Sequence, residues 1–244
     1  MLPLQPSPSS PAGRGSITGM RKMLEVRRGC VVLLALAAVA AIPVAAQSQD
    51  HHQHPFERAE RWARVFDDPA RDEWQKPGEV IRALALAPDA HVADIGAGTG
   101  YFAVRLARAV PQGRVIGVDI EQDMVRYLAD RAKREGLANL TAQLGAANDP
   151  RLPALVDLVM VVDTYHHIPA RERYFARLRE ALKTGGRLAV IDFHARAPMG
   201  PPQRFRIPPE QVKQELTRAG FSLVQEHAFL PHQYFLVFRP ATRS

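Results

Sequence analysis

Asp94 and Asp119 are the carboxylates whose settings could do chemistry. Asp94 opens "DIGAGTG", which sets Gly96, Gly98 and Gly100 at alternate positions directly after the apolar run His91-Val92-Ala93. Glycine has no Cβ, so a ligand can approach its backbone closely. The spacing is G-x-G-x-G; a dinucleotide fingerprint needs its third glycine one position later, where this chain has Tyr101. A carboxylate beside bound phosphates would repel them, so Asp94 suits a cationic ligand. Asp119 ends "VIGVD", and an acid there can accept hydrogen bonds from both hydroxyls of a ribose. The pair points to a ligand with a ribose and a positive charge but no phosphate.

Such residues need strand ends to hold them. Strand patterns run over 91–95, 114–119, 141–144, 156–163 and 187–193, with helical patterns over 78–87, 101–110, 122–135 and 170–182. Gly185-Gly186 reads as the stop of the last helix. Strands alternating with helices argue for crossover units in a parallel sheet covered on both faces. Two final strand patterns, 221–229 and 234–239, are separated only by Leu230 to Gln233. So short a link permits a hairpin and forbids a parallel crossover. The expected fold is α/β and doubly wound, mostly parallel with one reversed strand. Before it, Phe56, Ala59, Ala63 and Phe66 fall at helical spacing, a face that should pack on the main domain as a lid.

The segments "VADIGAGTGYFAVRLA", "VIGVDIEQDM", "VDLVMVVDTYHHI" and "LREALKTGGRLAVIDF" together resemble the class I S-adenosylmethionine-dependent methyltransferases across about residues 76 to 240. That resemblance implies a Rossmann-like sheet of seven strands with the last one antiparallel, and S-adenosylmethionine as cofactor. It implies that Asp94 holds the cofactor's amino group directly or through water. Gly96, Gly98 and Gly100 pass beneath its methionine part, and Asp119 binds the ribose. "GAANDP" matches the family's adenine-contacting turn, which offers Asn148 or Asp149, although many relatives carry an acid one place earlier. Ile120 and Met124 would sandwich the ring, or Met124 packs its helix on the sheet.

Methyl transfer from a sulfonium is an in-line displacement, and positioning alone can supply roughly 7–11 kcal/mol at best. A base helps when the acceptor must lose a proton. Asp163-Thr164-Tyr165-His166-His167 ends the fourth strand where the methyl group should lie. It makes Asp163 a cofactor-side residue and His166 or Tyr165 the substrate-side group. On an extended segment neighbours point to opposite sides, so one of the two histidines should face the cleft. His194 is a lesser candidate. Substrate choice should come from "HARAPMGPPQRFRIPP" and the helix near Trp62 and Trp74, with Arg196, Arg204 and Arg206 either recognising an acidic group or solvated.

The net charge of +7 invites a nucleic-acid reading. Arg14, Arg21, Lys22, Arg27 and Arg28 stand against Glu25 alone in residues 1–46, so more than half of the excess lies in the leader. No nucleic-acid partner is expected, and the acceptor is expected to be a small molecule. Arg27-Arg28, the apolar run from Cys30 to Ile42 and the small residues before Gln47 read as a secretory signal over 1–46. The protein is then exported, to the periplasm if the leader is cleaved, or held by it at the inner membrane. Cys30 is the only cysteine, so the mature chain has neither disulfides nor thiolate metal sites. His51, His52 and His54 belong to a polar tail, and no metal site is expected. The organisation is therefore a leader over 1–46, a tail and helical lid over 47–75, and the methyltransferase-like domain over 76–244. Two rivals remain: a non-catalytic binder of S-adenosylmethionine or S-adenosylhomocysteine, and an NAD(P)-dependent oxidoreductase.

Overall fold

A computed structural model describes residues 59–242. The expected leader, Phe56 and the histidines of the tail lie outside the described residues. Three helices come first: α1 (Ala59–Phe66), α2 (Arg71–Gln75) and α3 (Pro77–Leu84). Pro77 starts α3, where its fixed φ suits the first turn and no backbone N–H is missed. Then follow β1 (His91–Ile95), α4 (Tyr101–Ala109), β2 (Arg114–Asp119), α5 (Gln122–Arg134), β3 (Leu140–Leu144) and β4 (Val156–Val162). The chain ends with α6 (Arg171–Leu178), β5 (Leu182–Phe193), α7 (Pro209–Arg218), β6 (Phe221–His227) and β7 (Gln233–Pro240).

The strands form one 7-stranded sheet in the order β3-β2-β1-β4-β5-β7-β6. Only β7 is reversed, pairing antiparallel with both β5 and β6. From β1 the chain winds outward to β3, then returns through β4 to wind the other way. The switch point therefore lies between β1 and β4, where a crevice opens at the carboxyl ends of the strands. Strands covered on both faces read as continuous apolar runs, and β4 is buried from Leu158 to Val162. One core, around Leu84, Leu106, Leu128 and Phe235, fills one face. The other, around Phe175, Leu216, Phe221 and Phe238, fills the opposite face. Each such side chain stabilises the sheet by about 1.5–3 kcal/mol on burial.

Three sequence expectations are corrected. Gly185-Gly186 does not stop a helix: α6 ends at Leu178, a short 3-10 turn follows, and both glycines lie within the longer β5. The helix α7 is absent from the helical patterns of the sequence; Pro209 at its first turn is the start signal. The strand β6 ends at His227, before Phe229.

Ionic and aromatic contacts fasten the leading helices to the sheet's carboxyl edge. Arg131 of α5 donates to Asp67 at 2.8 Å and to the Thr99 carbonyl at 3.0 Å. The Tyr101 hydroxyl donates to Asp72, and the guanidinium carbons of Arg71 and Arg105 each lie 4.1 Å from the Tyr101 ring centre. Trp62, Phe66, Arg71 and Trp74 thereby become walls of the crevice.

Candidate active site

The crevice is a cavity of about 720 Å³, within the range of about 300–1,000 Å³ usual for small-molecule sites. On its β1–β2 side the glycine loop leaves β1 and crosses toward β2, with the Gly96 and Ala97 N–H groups donating to the Val118 carbonyl at 2.8 and 3.0 Å. Gly96 has φ +73°, and a Cβ there would lie 2.2 Å from Thr164 Oγ1. Gly100 has φ +95° and faces Leu128, whose Cδ1 would be 2.4 Å from an added Cβ. Both conformation and space therefore require glycine at these positions.

Asp94 is buried at the end of β1, 3% exposed. Burial, then the charge of Asp119, push its carboxyl up to about 7; Arg71 and the Ala103 N–H pull the other way without offsetting them. Such a carboxyl lacks compensating positive charge. Asp119 accepts from the Gly98 N–H at 2.8 Å and the Glu121 N–H at 3.0 Å, which ties the end of β2 to the loop. Burial also raises its pKa, with backbone N–H groups opposing. Ile120, Met124, Gly145, Ala146 and Ala147 complete this side. Asn148 and Asp149 do not line the cavity. The turn is closed by a bridge from Ala146 to Asp149, whose side chain accepts from the Arg151 N–H at 2.8 Å. The turn lines the cavity through Gly145, Ala146 and Ala147, so it offers backbone and no carboxylate there.

On the β4–β5 side, residues Tyr165–His167 form a 3-10 turn, not an extended segment. Tighter winding brings both His166 and His167 to the cavity wall, contrary to the alternation expected of a strand. It turns Tyr165 away. That ring is fully buried on the far face, stacked on Phe175, and its hydroxyl donates to Glu215 at 2.7 Å. Glu215 is held near 2 because the Arg171, Gln211 and Tyr165 hydrogen bonds outweigh its burial. Tyr165 is a structural clamp and drops out as a substrate-side group.

His166 places Nδ1 2.8 Å from Asp192 Oδ2, and both side chains are nearly inaccessible. Burial disfavours the imidazolium, but the hydrogen bond and charge of Asp192 prevail and raise its pKa above 6.5. With Nδ1 on Asp192, Nε2 is the ring nitrogen left for the cavity. Sequence reasoning does not single out Asp192, which stands near the carboxyl end of β5 in "VIDF" and reaches the site only through His166, itself staying out of the cavity lining. His194 does not line the cavity; its ring lies against Tyr234.

Asp163 borders the cavity at φ +52°. It accepts from Arg71 at 3.0 Å, from Gln75 at 3.1 Å and from Gln233. Burial pushes it up to about 6 even so, Arg71 pulling it down and Asp192 adding to the rise. Arg71 and Gln75 of α2 and Gln233 of β7 all lie far from Asp163 in the chain, and no local pattern marks them. Beyond β5, Arg206 donates to the carbonyls of His194, Ala195, Ala197, Met199 and Pro201. It shapes the loop and is not offered to an acidic substrate. Neither Arg196 nor Arg204 lines the cavity.

One side of the cavity thus presents acids and bare backbone, and the other a histidine held by a buried aspartate. Residues 86–230 match the family of the methyltransferase domain. A ubiquinone/menaquinone biosynthesis C-methyltransferase of Ralstonia pickettii is 34% identical over 114 residues, 46% of this chain and 47% of that protein. The chain thus spans about half the length of the first such relatives it matches. A trans-aconitate 2-methyltransferase of Afipia carboxidovorans is 30% identical over 196 residues, 76% of this chain and 69% of the other. In fold, a SAM-dependent methyltransferase from Aquifex aeolicus superposes with a TM-score of 0.69 at 23% identity, covering 74% of this chain and 97% of that one. With the match covering more than half of its residues, the chain belongs to the methyltransferase-domain family, in the class I S-adenosylmethionine-dependent group.

Proposed function

We propose that the protein binds S-adenosylmethionine and transfers its methyl group to a small-molecule acceptor. The observation that carries this reading is the Asp94 carboxyl, buried in the cavity wall and lifted to about 7 by that burial and by the charge of Asp119, beside a glycine loop tied to Asp119. A ligand with an ammonium and a sulfonium supplies the missing charge, and its ribose needs the acceptors Asp119 presents. When bound, that ligand supplies an electrophilic methyl group. Gly96, Gly98 and Gly100 give it backbone room, while Ile120 and Met124 flank the adenine position. Asp163, clasped by Arg71, Gln75 and Gln233, shapes the passage between the two sides and keeps its own carboxylate compensated. His166, oriented by Asp192, accepts the proton that an acceptor hydroxyl or amine gives up, and the imidazolium so formed stays paired with Asp192.

Titration calorimetry with S-adenosylmethionine and with NAD tests the first step: saturable binding of the former alone is expected, and binding of NAD alone would sink the reading. Transfer of labelled methyl to a cell extract separates an enzyme from a binder, since a binder labels nothing. The leader reading forms part of the same proposal. Its basic pair, apolar run and small residues before Gln47 support export to the periplasm. The check is cell fractionation with sequencing of the mature N-terminus; a cytoplasmic protein retaining Met1 would overturn it. Among the described residues no helix is long and apolar enough to cross a membrane.

A further inference from the structure

Aromatic side chains from α1, α2 and the stretch at and beyond the end of β5 line the cavity alongside its acids and bare backbone. Trp62 of α1 stacks with Phe66 at 5.4 Å between ring centres, and Phe66 leans over the loop at Gly98, 3.6 Å from where a Cβ would be. Trp74 of α2 lies 5.7 Å from Phe193 at the end of β5. Gly200 presses its backbone against that same Phe193 ring, so an added Cβ would fall 2.7 Å from it. Phe205 belongs to the same lining. Aromatic faces arranged around a slot favour flat, apolar partners.

The charges in the cavity tell against an anion. Among the described residues that line it, Arg71 is the only Lys or Arg and His166 and His167 are the other basic groups; of the acids, Asp94, Asp119 and Glu121 stand on the cofactor side and Asp163 beside the β4–β5 wall. Arg71 is already committed to Asp163 at 3.0 Å, to the Phe66 carbonyl at 2.8 Å and to the Tyr101 ring face. Drawing it to an anionic substrate would leave Asp163 uncompensated, a costly exchange for a partly buried carboxylate. Arg206 is consumed by five loop carbonyls. Resting on the methyltransferase reading above, we infer that the slot between Trp62, Phe66, Trp74, Phe193 and Phe205 takes a planar, apolar, non-anionic acceptor, and that polycarboxylates such as that named for the Afipia relative are excluded.

Trp62 and Trp74 are the only tryptophans in the chain, so intrinsic fluorescence reports occupancy of this slot independently of turnover. The purified protein, with S-adenosylhomocysteine present, is titrated with 2-naphthol, 2-methoxynaphthalene, 2-naphthoate and tricarballylate. The first three share a ring system and differ in charge. Saturable quenching by the two neutral rings is expected, with 2-naphthoate at least about tenfold weaker, the scale of one lost or unpaired charge contact, and tricarballylate without effect. Trp74→Phe should keep the naphthol response through Trp62, and Trp74→Ala should weaken it about tenfold. Naphthoate binding as well as naphthol, saturable binding of tricarballylate, or indifference to both neutral rings would overturn the inference. Calorimetry on the same sample keeps the two failures apart: no S-adenosylmethionine binding breaks the cofactor reading, whereas intact binding with the wrong acceptor pattern breaks only this one.

Discussion

The two sides of the crevice are built by different means. On the β1–β2 side, backbone and short-range spacing do the positioning: Gly96 and Gly100 hold φ values of +73° and +95°, and Asp119 sits at the last position of β2. On the β4–β5 side, side chains from α2, the 3-10 turn, β5 and β7 converge: Trp74 on Phe193, Arg71, Gln75 and Gln233 on Asp163, Asp192 on His166. A site made of backbone tolerates little substitution and suits a ligand that never changes. A site made of side chains from many segments can be re-cut residue by residue, which suits an acceptor that differs between relatives. The two halves should therefore respond separately to mutation.

The sharpest separation is expected at His166. His166→Gln keeps a polar side chain against Asp192 but cannot take up a proton, and positioned bases contribute about 10²–10⁴-fold. Turnover with a hydroxylic acceptor should fall by at least about 10²-fold while calorimetric affinity for S-adenosylmethionine stays as in the parent. The pH profile gives the sign. Asp192 and Asp163 raise the His166 pKa while its burial and Arg171 oppose them, and the net value lies above 6.5. The ring is protonated and idle below that value, so the rate should climb with pH through it. Asp192→Asn should move the rise toward lower pH, and an unmoved profile would show that His166 is not the titrating group.

Gly96→Ala probes the other half. The new methyl would meet Thr164 Oγ1 at 2.2 Å in a backbone conformation that L residues avoid. Strain of about 1–2 kcal/mol adds to overlap that must displace the loop. Cofactor affinity should fall about 10²-fold, with stability down by about 2–3 kcal/mol in urea unfolding. Quenching by 2-naphthol in the absence of cofactor should persist. Loss of both together would mean that the halves are not independent.

That contrast also explains what could be read in the sequence. The order of strands and helices, the reversed β7 and the acids at the ends of β1 and β2 follow from periodicity, glycine spacing and a short hairpin link, all local signals. The errors lie where local rules give way. Gly185-Gly186 looks like a helix stop, yet β4 pairs with Leu182 before the glycines and with Arg187 after them, so the two sit at a register shift inside β5, where Gly185 takes φ +80°. Tyr165 and His166 are neighbours in a sequence of strand character, and a 3-10 turn sends one into the core and the other to the cavity wall. Asp192, Arg71, Gln75 and Gln233 matter through contacts between residues 26 to 92 positions apart, and no periodicity carries that information.

A smaller effect tests the electrostatics of the cofactor side. The Asp94 carboxyl stands near 7 in the folded protein against 3.8 ordinarily, so the native state holds its proton more tightly than the unfolded chain. Folding stability from this group therefore falls as pH rises between those values, the reverse of a salt-bridged aspartate. A cationic ligand favours the ionised form. Between about pH 6 and pH 8 its affinity should rise about tenfold as Asp94 gives up its proton. The ligand's own amino group titrates nearby, so the comparison is with Asp94→Asn, in which this rise should vanish. A parallel pH dependence in parent and variant would remove Asp94 from the binding account.

The smallest effect concerns the loop after β5. Arg206 joins five carbonyls between His194 and Pro201, and those bonds hold Met199, Pro201 and Pro202 against the acceptor slot. The loop is half open to solvent, so water replaces much of what Arg206→Ala removes, and the net loss should be about 1 kcal/mol despite five bonds. Without the guanidinium the carbonyls no longer converge, and the loop samples conformations that widen the slot. Quenching by 2-naphthol should weaken about three- to fivefold, with cofactor affinity unchanged and amide exchange faster over 194–202. Were Arg206 instead an anion receptor, its removal would lower binding of 2-naphthoate and leave that of 2-naphthol alone, so the ratio of the two responses decides between a brace for the wall and a contact for the substrate.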